Sequence, residues 1–205
     1  MILGVTGGLG CGKSTVARLI ERRGFRRLDS DELVREKVLT DPAVAGQIRA
    51  RHGPGIAGPE GRIDRAGLAQ IIFANDAERI WLEDLTHPIV YRLWRESLGS
   101  DRDGNWVIEV PLLFERSLEN WFDFTLCVAC SWKEQLVRLE RRGLNPTLAG
   151  QRISKQLPLA RKIELADFVV WNDGSVEFLQ TQVDRLIDSL GSAPSGHPSS
   201  TPASK

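Results

Sequence analysis

The sequence predicts an α/β domain in which helices cover both faces of a doubly wound parallel sheet. Three observations predict it. Short, mostly apolar runs alternate with helical patterns along the chain, the first run lies at residues 2–6, and two later runs, 106–110 and 124–129, are nearly continuous in apolar residues. Near-continuous apolar runs are what strands need when both faces of a parallel sheet are covered. The chain has 205 residues, 41% hydrophobic and 26% charged, which suits one domain with a full core.

Each element follows from its own pattern. Residues 2–6 (ILGVT) form the first strand. A glycine-rich turn leads into a helix with Val16, Leu19 and Ile20 on one face and Arg18, Glu21 and Arg22 on the other. Gly24 ends that helix, and residues 25–29 read as the second strand. The segment from 31 to about 100 reads as mostly helical. Leu68, Ile71 and Ile72 mark one amphipathic helix, Ile80, Leu85 and Leu93 mark longer ones, and a loop rich in Gly and Pro occupies 52–61. Strands at 106–110 and 124–129 follow, then a charged helix at about 132–142. Asn145-Pro146 has the composition of a helix start, with Asn as cap and Pro in the first turn. Residues 167–171 read as the last strand. Val176, Leu179, Val183, Leu186, Ile187 and Leu190 line one face of a final helix. A single domain is expected over 1–190. From Gly191 onward the chain is mostly Ser, Pro, Gly and Ala, too poor in apolar surface to offset its ordering entropy, so 191–205 is expected to be disordered. Right-handed crossovers place the carboxyl ends of the strands, and so any ligand, along one edge.

Charge and cysteine content narrow the function. Lys and Arg total 27, and so do Asp and Glu. That balance gives no argument for a nucleic-acid or membrane-surface partner. The three cysteines, Cys11, Cys127 and Cys130, are an odd number and do not read as a secreted disulfide framework. The apolar stretch ahead of the glycine-rich turn is too short for a signal peptide. No apolar run approaches the ~20 residues that span a bilayer. A cytoplasmic protein is expected. Nothing in the sequence signals an oligomeric state.

Gly7-Gly8-Leu9-Gly10-Cys11-Gly12-Lys13-Ser14 matches G-x-x-x-x-G-K-[ST] between an apolar strand and an amphipathic helix. The glycines let backbone N–H groups turn inward and let phosphate approach closely. The helix N-terminus adds partial positive charge. Lys13 brings a point charge to the β- and γ-phosphates, and the Ser14 hydroxyl is a ligand for Mg²⁺. This is a P-loop, and ATP is the expected nucleotide. The thiol of Cys11 lies inside the loop. It reads either as a small residue accepted for its size or as a thiol activated by the helix N-terminus.

A P-loop alone does not separate a kinase from a switch or a motor. The sequence contains no Asn-Lys-x-Asp segment, so the usual guanine-reading motif is absent. Arg138, Arg141 and Arg142 recur at spacings of three and four on the predicted helix, and Arg152, Lys155, Arg161 and Lys162 follow. Such a segment reads either as a lid that neutralises charge on a transferred phosphoryl group or as a solvated basic face. Asp31 stands just past the second strand, on the edge that carries the P-loop. It reads as a general base for an attacking hydroxyl or as a helix cap, a role that Asp29 and Ser30 suit equally. The strand from Trp106 has no aspartate at its end. Glu109 or Glu115 reads as a water-mediated Mg²⁺ contact, as a helix cap or as a structural ion pair. Cys127 and Cys130 have the spacing of a metal half-site without a second Cys/His pair, so buried small hydrophobes are the better reading. His52 and His197 read as incidental, and the six tryptophans mostly as core.

Beyond these readings, the chain resembles the dephospho-coenzyme A kinase family. The resemblance rests on the P-loop through Ala17, on Asp29-Ser30-Asp31 where the family usually has Asp-Ala-Asp, and on Ile72-Phe73-Ala74-Asn75 and His87-Pro88. Val110-Pro111-Leu112-Leu113-Phe114-Glu115 is the most telling segment, followed by Gln135, Arg138, Arg142, Arg152, Gln156, Ala166-Asp167, Asn172 and Gly174. It implies a P-loop NTPase-type core with about five parallel strands, a helical substrate-binding insertion at about 31–100 and a lid at about 138–162. It also implies that ATP phosphorylates the ribose 3′-hydroxyl of dephospho-coenzyme A, the last step of coenzyme A synthesis, with Mg²⁺ held at Ser14. Carried over by position, Asp31 is the general base, Lys13 the phosphate-binding lysine, and Arg138 and Arg142 the lid arginines. Gly10, Cys11, Gly12, Ser14 and Thr15 contact the nucleotide phosphates and Asn172 lies near the adenine, while His87 joins Asp31 in holding the acceptor. Ser30 in place of Ala adds only a hydroxyl, and Asp173 stands where the family varies.

Overall fold

Five parallel strands form one sheet in the computed structural model, which describes residues 1–58, 62–101 and 104–191. They are β1 (Ile2–Gly7), β2 (Arg26–Asp29), β3 (Trp106–Glu109), β4 (Phe124–Ala129) and β5 (Phe168–Trp171), in the order β2-β3-β1-β4-β5. The register pairs Val5 with Glu109, Asp29 with Glu109, and Ala129 with Trp171, so the strands end together along one edge. The chain runs out from β1 in one direction to β2 and β3 and later in the other to β4 and β5. The loop after β1 therefore lies where strand order reverses, the position at which such sheets bind ligands. Helix α1 (Lys13–Glu21) follows that loop, and α2 (Ser30–Leu33) follows β2. A π-helical turn, Val34–Val38, extends α2, with the Leu39 N–H donating to the Val34 carbonyl at 2.8 Å. Next come α3 (Pro42–His52), α4 (Arg65–Ala74) and α5 (Asp76–Gly99). After β4 come α6 (Trp132–Glu140), α7 (Pro146–Ser154) and α8 (Leu159–Leu165), and α9 (Val176–Gly191) follows β5.

Side chains alternate along a strand, so each face of the sheet packs a separate core. On one face Leu3, Val5, Val107, Leu126 and Val128 pack against Val16, Leu19 and Ile20 of α1 and Leu179, Val183 and Ile187 of α9. On the other, Ile108, Val110 and Leu113 pack against the helical segment through Ile48, Leu68, Leu82, Val90 and Trp94. The second core contains an aromatic cluster. Trp94 lies 5.5 Å from Tyr91 and from Trp121, and 6.1 Å from Phe122, between ring centroids.

Several helix boundaries differ from the sequence reading. The charged helix stops at Glu140, so Arg141 is its cap and Arg142 lies in a turn closed by Gly143 at φ +82°. The longer helices marked by Ile80, Leu85 and Leu93 are one helix of 24 residues that runs through Pro88. An exposed proline within a helix is tolerated where packing on both sides holds the axis, and here Leu82, Val90 and Trp94 are buried around it. Trp132 and Trp171 are exposed rather than core. Gly191 ends α9 instead of opening a tail, and the rest of the expected disordered segment, 192–205, lies outside the described residues.

Candidate active site

The loop between β1 and α1 is fixed by backbone conformations that few residues adopt. Gly10 and Gly12 have φ of +81° and +95°. A methyl group on Gly12 would run into the Asn172 amide. Thr15 and Val16 donate their N–H groups to the Gly12 carbonyl at 3.0 and 3.1 Å, which starts α1 and aims its free N–H groups into the loop. The Lys13 ammonium arches back to the Gly7 and Gly8 carbonyls at 3.2 and 3.0 Å. Burial and the nearby charge of Lys162 hold its pKa below the usual lysine value, against pulls from Cys11, Asp31 and Glu109.

Cys11 is where the far side of the sheet meets the loop. Its carbonyl accepts from Asn172 Nδ2 at 2.8 Å and from the Arg138 guanidinium at 3.4 Å, and Arg138 also donates to the Asn172 carbonyl at 2.6 Å. Gln135 Nε2 donates to the Cys11 sulfur at 3.0 Å. The three contacts to Cys11 span more than 120 residues of chain, and nothing in the residue type of Gln135 marks it as a loop contact. Arg138 and Asn172 therefore stand at the loop. Arg142 is exposed in its turn and makes no ion pair among the described residues.

On the other side of the loop lies a group of carboxylates. Glu109, at the end of β3, is 3% exposed. Burial pushes its pKa up and a hydrogen bond with Ser14 pulls it down; nearby Asp29 raises it again, and Arg27, at 2.6 Å, lowers it. Ser30 donates to the Glu109 carbonyl at 2.5 Å, so the hydroxyl that replaces the usual alanine locks the start of α2 to β3. Of the two glutamates the sequence left open, Glu109 belongs to the serine site. Glu115 is structural: one of its carboxylate oxygens accepts from Lys162 at 2.8 Å and from the Leu157 N–H at 2.9 Å, anchoring the segment before α8. The fully buried Lys162 also donates to the Pro111 carbonyl at 2.7 Å. Nothing in residue type alone marked it as more than one of a basic run.

The question of the cap resolves onto Asp29, whose side chain accepts from the Glu32 N–H at 3.0 Å. Asp31 is left uncommitted in the first turn of α2, open to solvent at the mouth of the loop. Crowding by protein raises its pKa, Asp29 adds to the rise, and Lys13 and Arg35 oppose it. His87 is half-buried on α5, 5.8 Å from the Tyr91 ring, and burial lowers its pKa against the pull of Asp84. The end of α7 is tied across to the start of α5 by the Lys155–Asp76 ion pair at 2.8 Å. Ala74, Leu148, Gln151, Arg152, Ser154 and Lys155 line a cleft of about 350 Å³ there.

A phosphate-binding loop facing an uncommitted carboxylate, with a serine and a buried glutamate beside it, has the parts for phosphoryl transfer. Comparison with known proteins agrees. A family described as dephospho-CoA kinase matches residues 1–177. The dephospho-CoA kinase of Thermosynechococcus vestitus is 41% identical over 92% of this chain and 94% of its own. The enzyme of Synechococcus sp. CC9902 is 41% identical over 90% and 94%. Among solved structures, a Thermus thermophilus protein superposes with a TM-score of 0.78 at 32% identity, covering 93% of this chain and 97% of that one. A shikimate kinase from Acinetobacter baumannii, at 14% identity and a TM-score of 0.56, shares the fold alone. By sequence, by fold and by the layout of its phosphate loop, the chain belongs to the dephospho-CoA kinase family.

Proposed function

We propose that this chain transfers the γ-phosphoryl group of ATP to the ribose 3′-hydroxyl of dephospho-coenzyme A, giving coenzyme A and ADP, with Asp31 as the general base. The observation that carries the assignment of the base is the division between two neighbouring aspartates. Asp29 is spent on capping α2, and Asp31 faces Lys13 across the loop with no such bond. A carboxylate whose hold on a proton is strengthened by its surroundings suits a late proton transfer from a hydroxyl. Lys13, the loop N–H groups and Arg138 face the β- and γ-phosphates, where negative charge spreads during transfer. Arg142 reaches them only if the turn after α6 folds over the loop, and His87 orients the acceptor.

The donor set fits Mg²⁺. The Ser14 hydroxyl and the Glu109 carboxylate are hard oxygens hydrogen-bonded to each other, at the helix end where phosphate binds. Ser14 would ligate the ion directly, with Glu109 behind it. When bound, the ion supplies positive charge to the phosphate oxygens. The buried free thiols Cys11, Cys127 and Cys130 agree with a reducing cytoplasm. Among the described residues no helix is long and apolar enough to cross a membrane.

The test is ADP release with Mg-ATP and, in separate reactions, dephospho-coenzyme A, adenosine, AMP or no acceptor. Release only with dephospho-coenzyme A, with the product phosphorylated at the 3′ position, is the expected result. Turnover of another acceptor instead would keep the kinase and discard this substrate. ATP binding without turnover would make the chain a nucleotide-binding regulator. Asp31→Asn should lower kcat by about 10²–10⁴-fold with ATP binding kept, and a near wild-type rate would remove Asp31 as the base.

A further inference from the structure

Two of the three cysteines meet beneath the phosphate loop. Cys11 belongs to the loop, and Cys130 immediately follows β4. Their sulfur atoms are 3.4 Å apart, and both side chains are buried. A disulfide brings its sulfurs to about 2.05 Å, so roughly 1.4 Å remains to be closed. Closing it calls for rotation of two short side chains and a small shift of a glycine-flanked loop. The two thiols are not equivalent. The Cys130 S–H and the Gln135 amide both donate to the Cys11 sulfur, and Lys13 lies near, so the Cys11 thiol sits below its usual pKa despite burial. The same contact and burial push Cys130 up. One sulfur is thus poised as a thiolate at a helix N-terminus, with a neutral thiol against it. Burial pushes the third thiol, Cys127, up to about 12.

We propose that Cys11 and Cys130 are a peroxide-sensitive pair that closes into a reversible disulfide and switches the phosphate loop off. The Cys11 thiolate attacks one oxygen of hydrogen peroxide, breaks the O–O bond and becomes a sulfenic acid, releasing hydroxide that takes a proton to form water. The Cys130 sulfur then attacks the Cys11 sulfur. The S–S bond forms, and the hydroxyl leaves with the Cys130 proton as a second water. In sum, two thiols and one peroxide give one disulfide and two waters, with two electrons passing from sulfur to oxygen. Hydrogen peroxide is little larger than water, which suits a pair shielded from bulk solvent. Closing the bond draws the Cys11 sulfur from Gln135, while Asn172 and Arg138 still hold its carbonyl. The strain falls on the turn between Gly10 and Gly12, whose N–H groups must face phosphate. A displacement of about 1 Å in such a site costs on the order of 10²-fold in rate.

The functional half of this inference rests on the kinase reading above, so the test reads chemistry and activity separately. Reduced full-length protein is treated with hydrogen peroxide, remaining thiols are alkylated, and non-reduced peptides are analysed by mass spectrometry. ADP release is measured before treatment, after it, and after dithiothreitol. The expected result is a Cys11–Cys130 linked peptide, a fall in kcat/KM for ATP of about 10–100-fold, and recovery with the reductant. Cys130→Ser should keep the reduced-state activity and form no link, with Cys130→Ala as a second variant should the serine misfold. Cys127→Ala should still link and still lose activity. Both thiols remaining alkylatable under peroxide that oxidises a free thiol would overturn the pair. A link without loss of activity would overturn the switch. Absence of ADP release from the reduced enzyme would instead strike the kinase reading and leave the linkage result standing by itself.

Discussion

The two faces of the sheet carry different burdens. The face under α1 and α9 is packed mainly with aliphatic side chains, with Phe25, Phe124 and Phe168 at its margin, and the loop on its edge has the geometry for phosphate in its backbone: positive φ at two glycines, a helix end, and carbonyls pinned by Asn172 and Arg138. The opposite face is covered by the helical insertion and adds the large rings Trp94, Tyr91, Trp121 and Phe122 to its aliphatic residues. Large buried rings contribute more to stability than to the position of any single reacting atom. The contrast teaches that stability and chemistry are separable here, and mutations on the two faces should show opposite signatures.

The largest expected effect is Trp94→Ala. Trp94 is 1% exposed and touches three other aromatic rings. Its removal leaves a cavity and should lower stability by about 3–5 kcal/mol, seen as a fall in denaturant midpoint. Below its melting range the variant should keep the wild-type KM for ATP. Trp94→Phe should cost far less, because among the described residues the indole N–H has no protein hydrogen-bond partner to lose. A Trp94→Ala enzyme that melts normally but loses ATP affinity would erase the distinction between the faces.

Gly12→Ala should behave in the opposite way. It forces a side chain into φ +95° and against the Asn172 amide. Misplacing the N–H groups that face phosphate should lower kcat/KM for ATP by about 10²–10³-fold, while the melting temperature changes much less than in Trp94→Ala. Equal losses of stability in the two variants would mean that the loop and the helical insertion unfold as one mechanical unit.

A smaller effect separates the two arginines that the sequence could not rank. Arg138 is already bonded to the Asn172 and Cys11 carbonyls, and Arg142 is exposed in the turn beyond. Arg138→Ala should therefore lower kcat/KM for ATP by about 10–100-fold, and Arg142→Ala by less than about tenfold, confined to kcat if the turn closes over ATP only during reaction. The reverse order would show that the turn, and not the helix, delivers the charge that counts.

The same contrast explains what was legible in the sequence. The strands, the loop and the cap at Asn145 are set by short-range pattern, and each lies where its residues predict. The continuity of α5 through Pro88 was not legible, because propensity favours a break and only packing against the aromatic cluster overrides it. The ranking of Arg138 over Arg142 depends on where α6 stops, and helix ends are weakly encoded. The approach of Cys130 to Cys11 joins positions 119 residues apart, so no local spacing announces it. The roles of Glu109 and Glu115 separate only once β3 is paired with β2 and the segment before α8 folds onto Pro111-Leu112-Leu113-Phe114-Glu115.

The smallest effect tests the link between the faces at Asp31, the proposed base, in the first turn of α2. Its pKa is raised in the fold, by crowding first and by Asp29 second. A raised carboxylate contributes stability at pH below its unfolded value and loses that contribution as pH rises through the folded value. At neutral pH the folded protein therefore bears a penalty for keeping Asp31 charged. Asp31→Asn removes it, so at pH 7 the variant should melt higher than wild type, by an amount that solvent screening of an exposed carboxylate reduces. The difference should vanish in acid, where wild-type Asp31 is protonated as well. Glu109 is raised too and bends the wild-type pH–stability curve in the same direction, but it is common to both proteins and cancels in the difference between them. The acid limb of kcat should likewise lie above the ordinary aspartate value, since the base must be ionised to act. A variant that melts lower at pH 7 would mean that the carboxylate stabilises α2 from its first turn, and the capping role would then extend from Asp29 to Asp31.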